Sequence, residues 1–292
     1  MEQAKGRIWE LDALRGLCIL CVIAVHFIFD LSFFAGAELT LPAWYTFIQE
    51  YGGAIFVILS GCCATLGRRS FRRGAIVFGC GMLITLVTFG MYRLGMASRD
   101  VIVQFGVLHL LGVCMMLYPL LKKLPAGVVL PLAVCLIAAG YLVRGVRVQT
   151  PWLFPLGLIT DTFFSSDYFP LLPQLGYFLL GIWLGRMVYR EKKTRLPGTF
   201  SESPIARFFC LCGRHSLLIY LVHQPVLYGV TELGMRIIKA QYTLHFVGAD
   251  DHIGPANCSY KFVCTNANTN TPCRGGRPCP PVGHHRFRRL VS

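Results

Sequence analysis

Residues 7–31, RIWELDALRGLCILCVIAVHFIFDL, decide the fold class of this chain. From Leu14 to Phe34 nearly every residue is apolar; Arg15, His26, Asp30 and Ser32 are the exceptions. That length matches the ~20 residues needed to cross a bilayer as a helix. His26 and Asp30 are four apart, so a helix sets them on one face, one turn from each other. An acid inside such a helix costs roughly 2.5–3.5 kcal/mol on insertion scales. Residues carrying that cost face a cavity or a partner, and the default reading is a functional site within the membrane.

The rest of the chain extends the membrane reading. Hydrophobic residues make up 54% and charged residues 14%, and the mean hydropathy is +0.56. Soluble domains carry about 25% charged residues. Apolar runs place about seven spans near 14–34, 44–66, 74–92, 101–121, 126–143, 169–189 and 214–234. Gln49 and Glu50 interrupt the second run. The expected fold is an all-α, polytopic helical bundle over residues 7–240. No cleavable signal peptide is expected, because the first apolar run is long and lacks a small-residue cleavage site.

The net charge of +14 raises nucleic acid as a partner, and its distribution argues against one. Arg68, Arg69, Arg72 and Arg73 fall between the second and third spans, and Lys122 and Lys123 between the fourth and fifth. Arg186, Arg190, Lys192, Lys193 and Arg195 lie at or after the end of the sixth. The alternate connections are poorer in cations. This is the positive-inside pattern with a cytoplasmic N-terminus. The arginines are therefore topological signals first, and ligands for an anionic cofactor second.

Nine of the thirteen cysteines lie within or beside the spans, where they act as small apolar residues. Cys18 and Cys21 have redox spacing but no thioredoxin-like surroundings, so packing is the preferred reading. The outer connection 144–168 is long, as binding loops and lids are. It holds two prolines, a tryptophan, Asp161 and Asp167.

Residues 241–292 change character: the first asparagine is Asn257, and Cys258, Cys264, Cys273 and Cys279 precede His284 and His285. The spacing fits no common zinc ribbon or finger. This tail has no hydrophobic period and is read as disordered, or as an aberrant C-terminus replacing a further helix. No metal is expected.

Three histidines fall inside spans: His26 in the first, His109 in the fourth and His223 in the seventh. At 1.5 Å per residue each is roughly 12–18 Å from the end of its span. Asp167 stands at the outer end of the sixth. Brought together, these residues would form a polar pocket open to the outside. A lone membrane histidine can simply bond a neighbouring helix. A carboxylate one turn from an imidazole can instead fix its tautomer and raise its basicity. Glu50 can face the pocket or sit at the interface beside Trp44 and Tyr45. Pro225 is expected to kink the last span. Gly181 and Gly185 suit close helix packing. Asp12 and Arg15, three apart, can pair, and Arg15 can alternatively meet a cofactor phosphate.

At these residues the chain resembles a family. The 7–31 stretch is similar to the first membrane helix of the bacterial relatives of heparan-α-glucosaminide N-acetyltransferase. FVILSGCCATLG at 56–67, FGVLHLLG at 105–112, DYFPLLPQLGYFLLGIWLG at 167–185 and GRHSLLIYLVHQPVL at 213–227 resemble its later blocks, in order. The resemblance covers roughly residues 7–235 and not the tail.

It implies a polytopic acyltransferase of the bacterial cytoplasmic (inner) membrane, taking acetyl from acetyl-CoA to a sugar amine or hydroxyl across the bilayer. The family's first-helix active-site histidine carries over to His26. The physical reading fits: a thioester is already activated, and a histidine near neutral pH can deprotonate the nucleophile. His26 is then the base, oriented by Asp30, or a covalent acyl relay. His109, His223 and Asp167 would bind substrate, the two histidines as oxyanion donors among other roles. Arg15, Arg68, Arg69, Arg72 and Arg73 would meet the phosphates of acyl-CoA. A carbohydrate or glycan acceptor, the lipid bilayer and a second copy in a homodimer complete the expected partners. The alternatives are a proton-coupled small-solute transporter, disfavoured by the absence of internal repeats, and a non-catalytic scaffold.

Overall fold

A computed structural model describes residues 8–35, 41–197 and 201–247. The 248–292 part of the tail, with its zinc and disorder readings, lies outside the described residues. The chain divides into one unit, Met1–Ala240, and a second, Gln241–Ser292. The helices are α1 Trp9–Ala35, α2 Ala43–Ala64, α3 Ser70–Arg93, α4 Val107–Leu121, α5 Ala126–Val143, α6 Leu171–Val188, α7 Pro204–Arg214 and α8 Ser216–Val247. Among the described residues there are two isolated bridges and no strand. The all-α expectation holds, and the chain is an integral membrane protein.

Among the described residues five helices (α1, α2, α3, α5 and α6) are long and apolar enough to cross a membrane. A sixth span results if α7 and the first part of α8, bent by 83°, count together. The fourth expected span is shortened. Residues 101–121 become a helix of 15 residues, α4, preceded by a 3-10 turn at Arg99–Val101 and extended chain. That chain pairs with the segment before α6: Phe169 N–H donates to the Phe105 carbonyl at 2.9 Å, and Ser166 N–H to that of Ile102 at 3.0 Å. A second backbone satisfies these groups, so the helix need not continue.

The core is centred on α4 and α6 with α2 and α5. Phe178, Leu179 and Ile182 of α6 pack with Val57, Leu110, Cys114, Val129 and Ala133. Close approach depends on missing side chains. A Cβ on Gly61 of α2 would run into the Phe178 carbonyl, and one on Gly181 into that of Ile58. The same device joins α7 to α1, where Gly16 faces the Phe209 carbonyl and Gly213 that of Asp12. Backbones that touch this way gain dispersion contacts that lipid cannot replace.

At the end of the bundle formed by the C-termini of α2, α4 and α6, Arg186 caps α4. Its guanidinium donates to the carbonyls of Leu124 at 2.7 Å, Lys122 at 3.1 Å and Leu121 at 3.3 Å. Four carbonyls at a helix C-terminus lack intrahelical partners, and a cation there also opposes the helix dipole. The chain after α6 turns at Lys192 (φ 54°) and returns to α1, with Arg195 N–H donating to Glu10 Oε1 at 2.7 Å.

Candidate active site

The site is assembled by one face of α8. Tyr220, His223 and Gln224 stand at i, i+3 and i+4, which aligns them on a helix. Each reaches a different partner. Tyr220 Oη donates to Asp167 Oδ2 at 3.3 Å. The His223 ring lies beside His26 of α1, with centroids 5.2 Å apart and planes at 55°. Gln224 Nε2 reaches Asp30 Oδ2 at 3.5 Å, the long limit of a hydrogen bond. The Tyr220 and His223 rings are 5.1 Å apart. A polar line therefore runs from Asp167 through Tyr220 and His223 to His26, with Asp30 and Gln224 one turn further along.

His26 is half-buried, while Asp30 and His223 are buried. The described hydrogen bond of Asp30 is with Gln224 rather than with His26. A carboxylate one turn along α1 turns towards the facing helix, whose amide offers a donor. His223 is held more firmly. Its Nδ1 is 2.6 Å from the Tyr220 carbonyl. A carbonyl only accepts, so Nδ1 carries the proton and Nε2 carries the lone pair. That Nε2 is buried and has no hydrogen-bond partner among the described residues.

His109 differs from its expected place. It lies in the first turn of α4, not 12–18 Å into a span, because the helix begins only at Val107. Its Nδ1 accepts from Gly106 N–H at 3.2 Å, so Nε2 carries the hydrogen and meets Thr85 Oγ1 at 3.2 Å. Phe105 stacks on the ring, and the Phe78 ring meets it edge-on. Both nitrogens are occupied, and the side chain is 2% exposed.

Asp167 closes the same turn from outside. Its Oδ2 accepts from Val107 N–H at 3.2 Å and fills the space that a Cβ on Gly106 would need. This is an N-cap supplied by another part of the chain. Burial pushes the Asp167 carboxyl up to about 6, although the bonds from Val107 and Tyr220 favour the anion.

The connection 144–168 folds over this end. Phe154 stacks on Phe163, Phe163 meets Tyr168, and the Tyr168 hydroxyl donates to the Phe154 carbonyl at 2.5 Å. An aromatic plug thus covers the start of α4.

The expected phosphate ligands are scattered. Arg15 pairs with Asp12 at 3.6 Å, and Arg214 approaches the same carboxylate at 3.8 Å. Arg68, Arg69, Arg72 and Arg73 are exposed around the α2–α3 turn. A cleft of 460 Å³ at the Arg186 end is lined instead by Arg186, Arg190, Lys192, Tyr118, Tyr189 and Thr65, among others. Among the described residues no cluster of His, Cys, Asp and Glu is suited to a metal ion.

The structure brings His26, His223, Asp30 and Asp167 into one neighbourhood and leaves the arginines outside it. Sequence reasoning missed Tyr220 and Gln224. Their signal was Tyr220-x-x-His223-Gln224 at helical spacing, unread because neither side chain ionises near neutral pH.

No curated protein and no solved structure matches this chain. A family model does, over residues 7–225, described as heparan-alpha-glucosaminide N-acetyltransferase, catalytic. The match takes in α1 and ends at Pro225, directly after the Tyr220–Gln224 face. With more than half of its length matched, the chain belongs to the heparan-alpha-glucosaminide N-acetyltransferase catalytic family, a family of membrane acetyltransferases.

Proposed function

We propose that the protein moves an acetyl group from acyl-CoA on the cytoplasmic side to a sugar amine or hydroxyl on the outer side, with His26 as general base or acyl carrier. The observation that carries the reading is the meeting of His26 and His223, at 5.2 Å, from two separate helices. By residue count His26 lies ~26 Å from the start of α1 and ~14 Å from its end, within the apolar span. Two imidazoles there hold lone pairs where water is scarce and where a thioester can be met.

The donor enters from the end bearing the basic residues, which the positive-inside pattern assigns to the cytoplasm. Arg68, Arg69, Arg72 and Arg73, with the cleft cations Arg190 and Lys192, offer charge to its phosphates. Arg15 lies at the same end and reaches a phosphate only by leaving Asp12. The acceptor enters from the opposite end, beside Asp167 and Tyr220, beneath the aromatic plug. His109 shapes this wall by fixing the start of α4. The bacterial cytoplasmic membrane is the proposed location, and a homodimer the proposed assembly.

Purified protein given radiolabelled acetyl-CoA and a panel of amino and hydroxy sugars tests the reading. Wild type should release CoA and label one acceptor class, and His26→Ala should lose transfer. Unchanged transfer by His26→Ala would remove His26 from the mechanism. Solute movement in proteoliposomes without CoA release would point to transport instead.

A further inference from the structure

Resting on the acetyl-transfer reading with His26 as acyl carrier, we infer that His223 is the base that deprotonates the acceptor. Two features distinguish His223. Its tautomer is set by the Tyr220 carbonyl, 2.6 Å from Nδ1, which leaves the Nε2 lone pair permanently available. That lone pair is buried and without a partner among the described residues, on a residue 8% exposed. An acceptor atom buried without a donor carries a free-energy cost. Such a cost fits a site whose donor arrives with the substrate, here an amine N–H or a hydroxyl.

His26 lies beside the His223 ring, with centroids 5.2 Å apart and planes at 55°. Asp30, the other titratable group on this part of α1, points its carboxylate to Gln224. The base is therefore supplied from α8, and His26 is left as nucleophile.

A ring nitrogen of His26 attacks the thioester carbonyl carbon, and the C–S bond breaks with its electron pair on sulfur. The other ring nitrogen gives its proton to the thiolate, leaving acetyl-imidazole and free thiol. The acceptor nitrogen or oxygen then attacks the acetyl carbon as its proton passes to His223 Nε2. The C–N bond to His26 breaks, its electron pair returns to the ring, and the His223 proton is handed to His26. Both imidazoles end neutral, and the net change is thioester plus acceptor to thiol plus acetylated acceptor. Tyr220 is a positioning residue: its backbone sets the His223 tautomer, and its hydroxyl ties this stretch of α8 to Asp167.

The test follows the half-reactions in the full chain, reconstituted in lipid, with [¹⁴C]acetyl-CoA and glucosamine. His223→Ala should still release about one CoA per protein and retain the label as an acid-labile adduct. Transfer to glucosamine should fall roughly a hundredfold or more, the usual scale of base catalysis. Added imidazole should restore part of it. His223→Gln should behave alike and guards against a loss due only to folding. The solvent isotope effect on transfer to glucosamine should shrink in His223→Gln, while the effect on CoA release should match wild type. Wild-type transfer rates in His223→Ala, or equal loss of both half-reactions in folded His223→Gln, would overturn the assignment while leaving acetyl transfer intact. Absence of CoA release by wild type would instead overturn the reading on which it rests.

Discussion

Asp167 serves two neighbours at once: the Val107 N–H at the start of α4 and the Tyr220 hydroxyl of α8. Its carboxyl, raised to about 6 by burial, binds its proton more tightly in the folded protein than in the unfolded one. The stability this contributes is full below the ordinary carboxylate range near 4 and is lost as pH rises through about 6. Melting of the detergent-solubilised protein should show wild type losing stability relative to Asp167→Asn between pH 4 and 6. Parallel curves for the two proteins would show that Asp167 does not titrate there. His109 is a residue of a different kind, with both ring nitrogens already bonded. His109→Ala should lower the melting temperature, at a cost of about 1–3 kcal/mol. A stable variant with raised acceptor KM would return His109 to substrate binding.

At the scale of elements, two contacts hold helices in place by specific atoms. Arg186 satisfies three carbonyls beyond and at the end of α4. Arg186→Ala should cost about 1–3 kcal/mol because those acceptors lose a charged donor. Arg186→Lys should recover only part, since an ammonium lacks the planar fork that spans the carbonyls. Thermal denaturation of the three proteins orders them. The α1–α7 crossing tolerates no side chain at Gly213, whose Cβ would strike the Asp12 carbonyl. Gly213→Ala should therefore separate α7 from α1, costing about 1–3 kcal/mol as overpacking does, and its melting temperature should drop.

These elements show what local pattern conveys. The apolar runs at 44–66, 74–92, 126–143 and 169–189 correspond closely to α2, α3, α5 and α6, because a long apolar helix satisfies its own backbone. The fourth run misled. Residues 101–121 read as one continuous helix, yet the chain before Val107 pairs with residues 166–169, some sixty positions away. The last run, 214–234, corresponds to the first part of α8, and the 11-residue α7 before it, set at 83° to α8, is too short to register as an apolar run. Tyr220 and Gln224 were equally hidden: their partners lie on α1 and before α6, and spacing along α8 cannot name them.

Across the whole molecule, the basic residues gather at the ends of α2, α4 and α6, and the positive-inside pattern makes this the proposed cytoplasmic side. Alkaline phosphatase fused after Lys123 should be inactive, and fused after Arg147 active, when expressed in a bacterial membrane. The reverse pattern would invert the orientation and move the proposed donor entry to the outer face. The sequence by itself determined that this is a polytopic helical membrane protein with a histidine and an acid in its first span. Length, hydropathy and charge are properties of the chain alone, and the ordered motifs pointed to the family. Only the tertiary structure decided that His26 faces His223, that Asp30 meets Gln224, and that Asp167 caps α4. Hydrogen-bond partners between helices depend on distances set by packing, and no periodicity along one chain segment contains them.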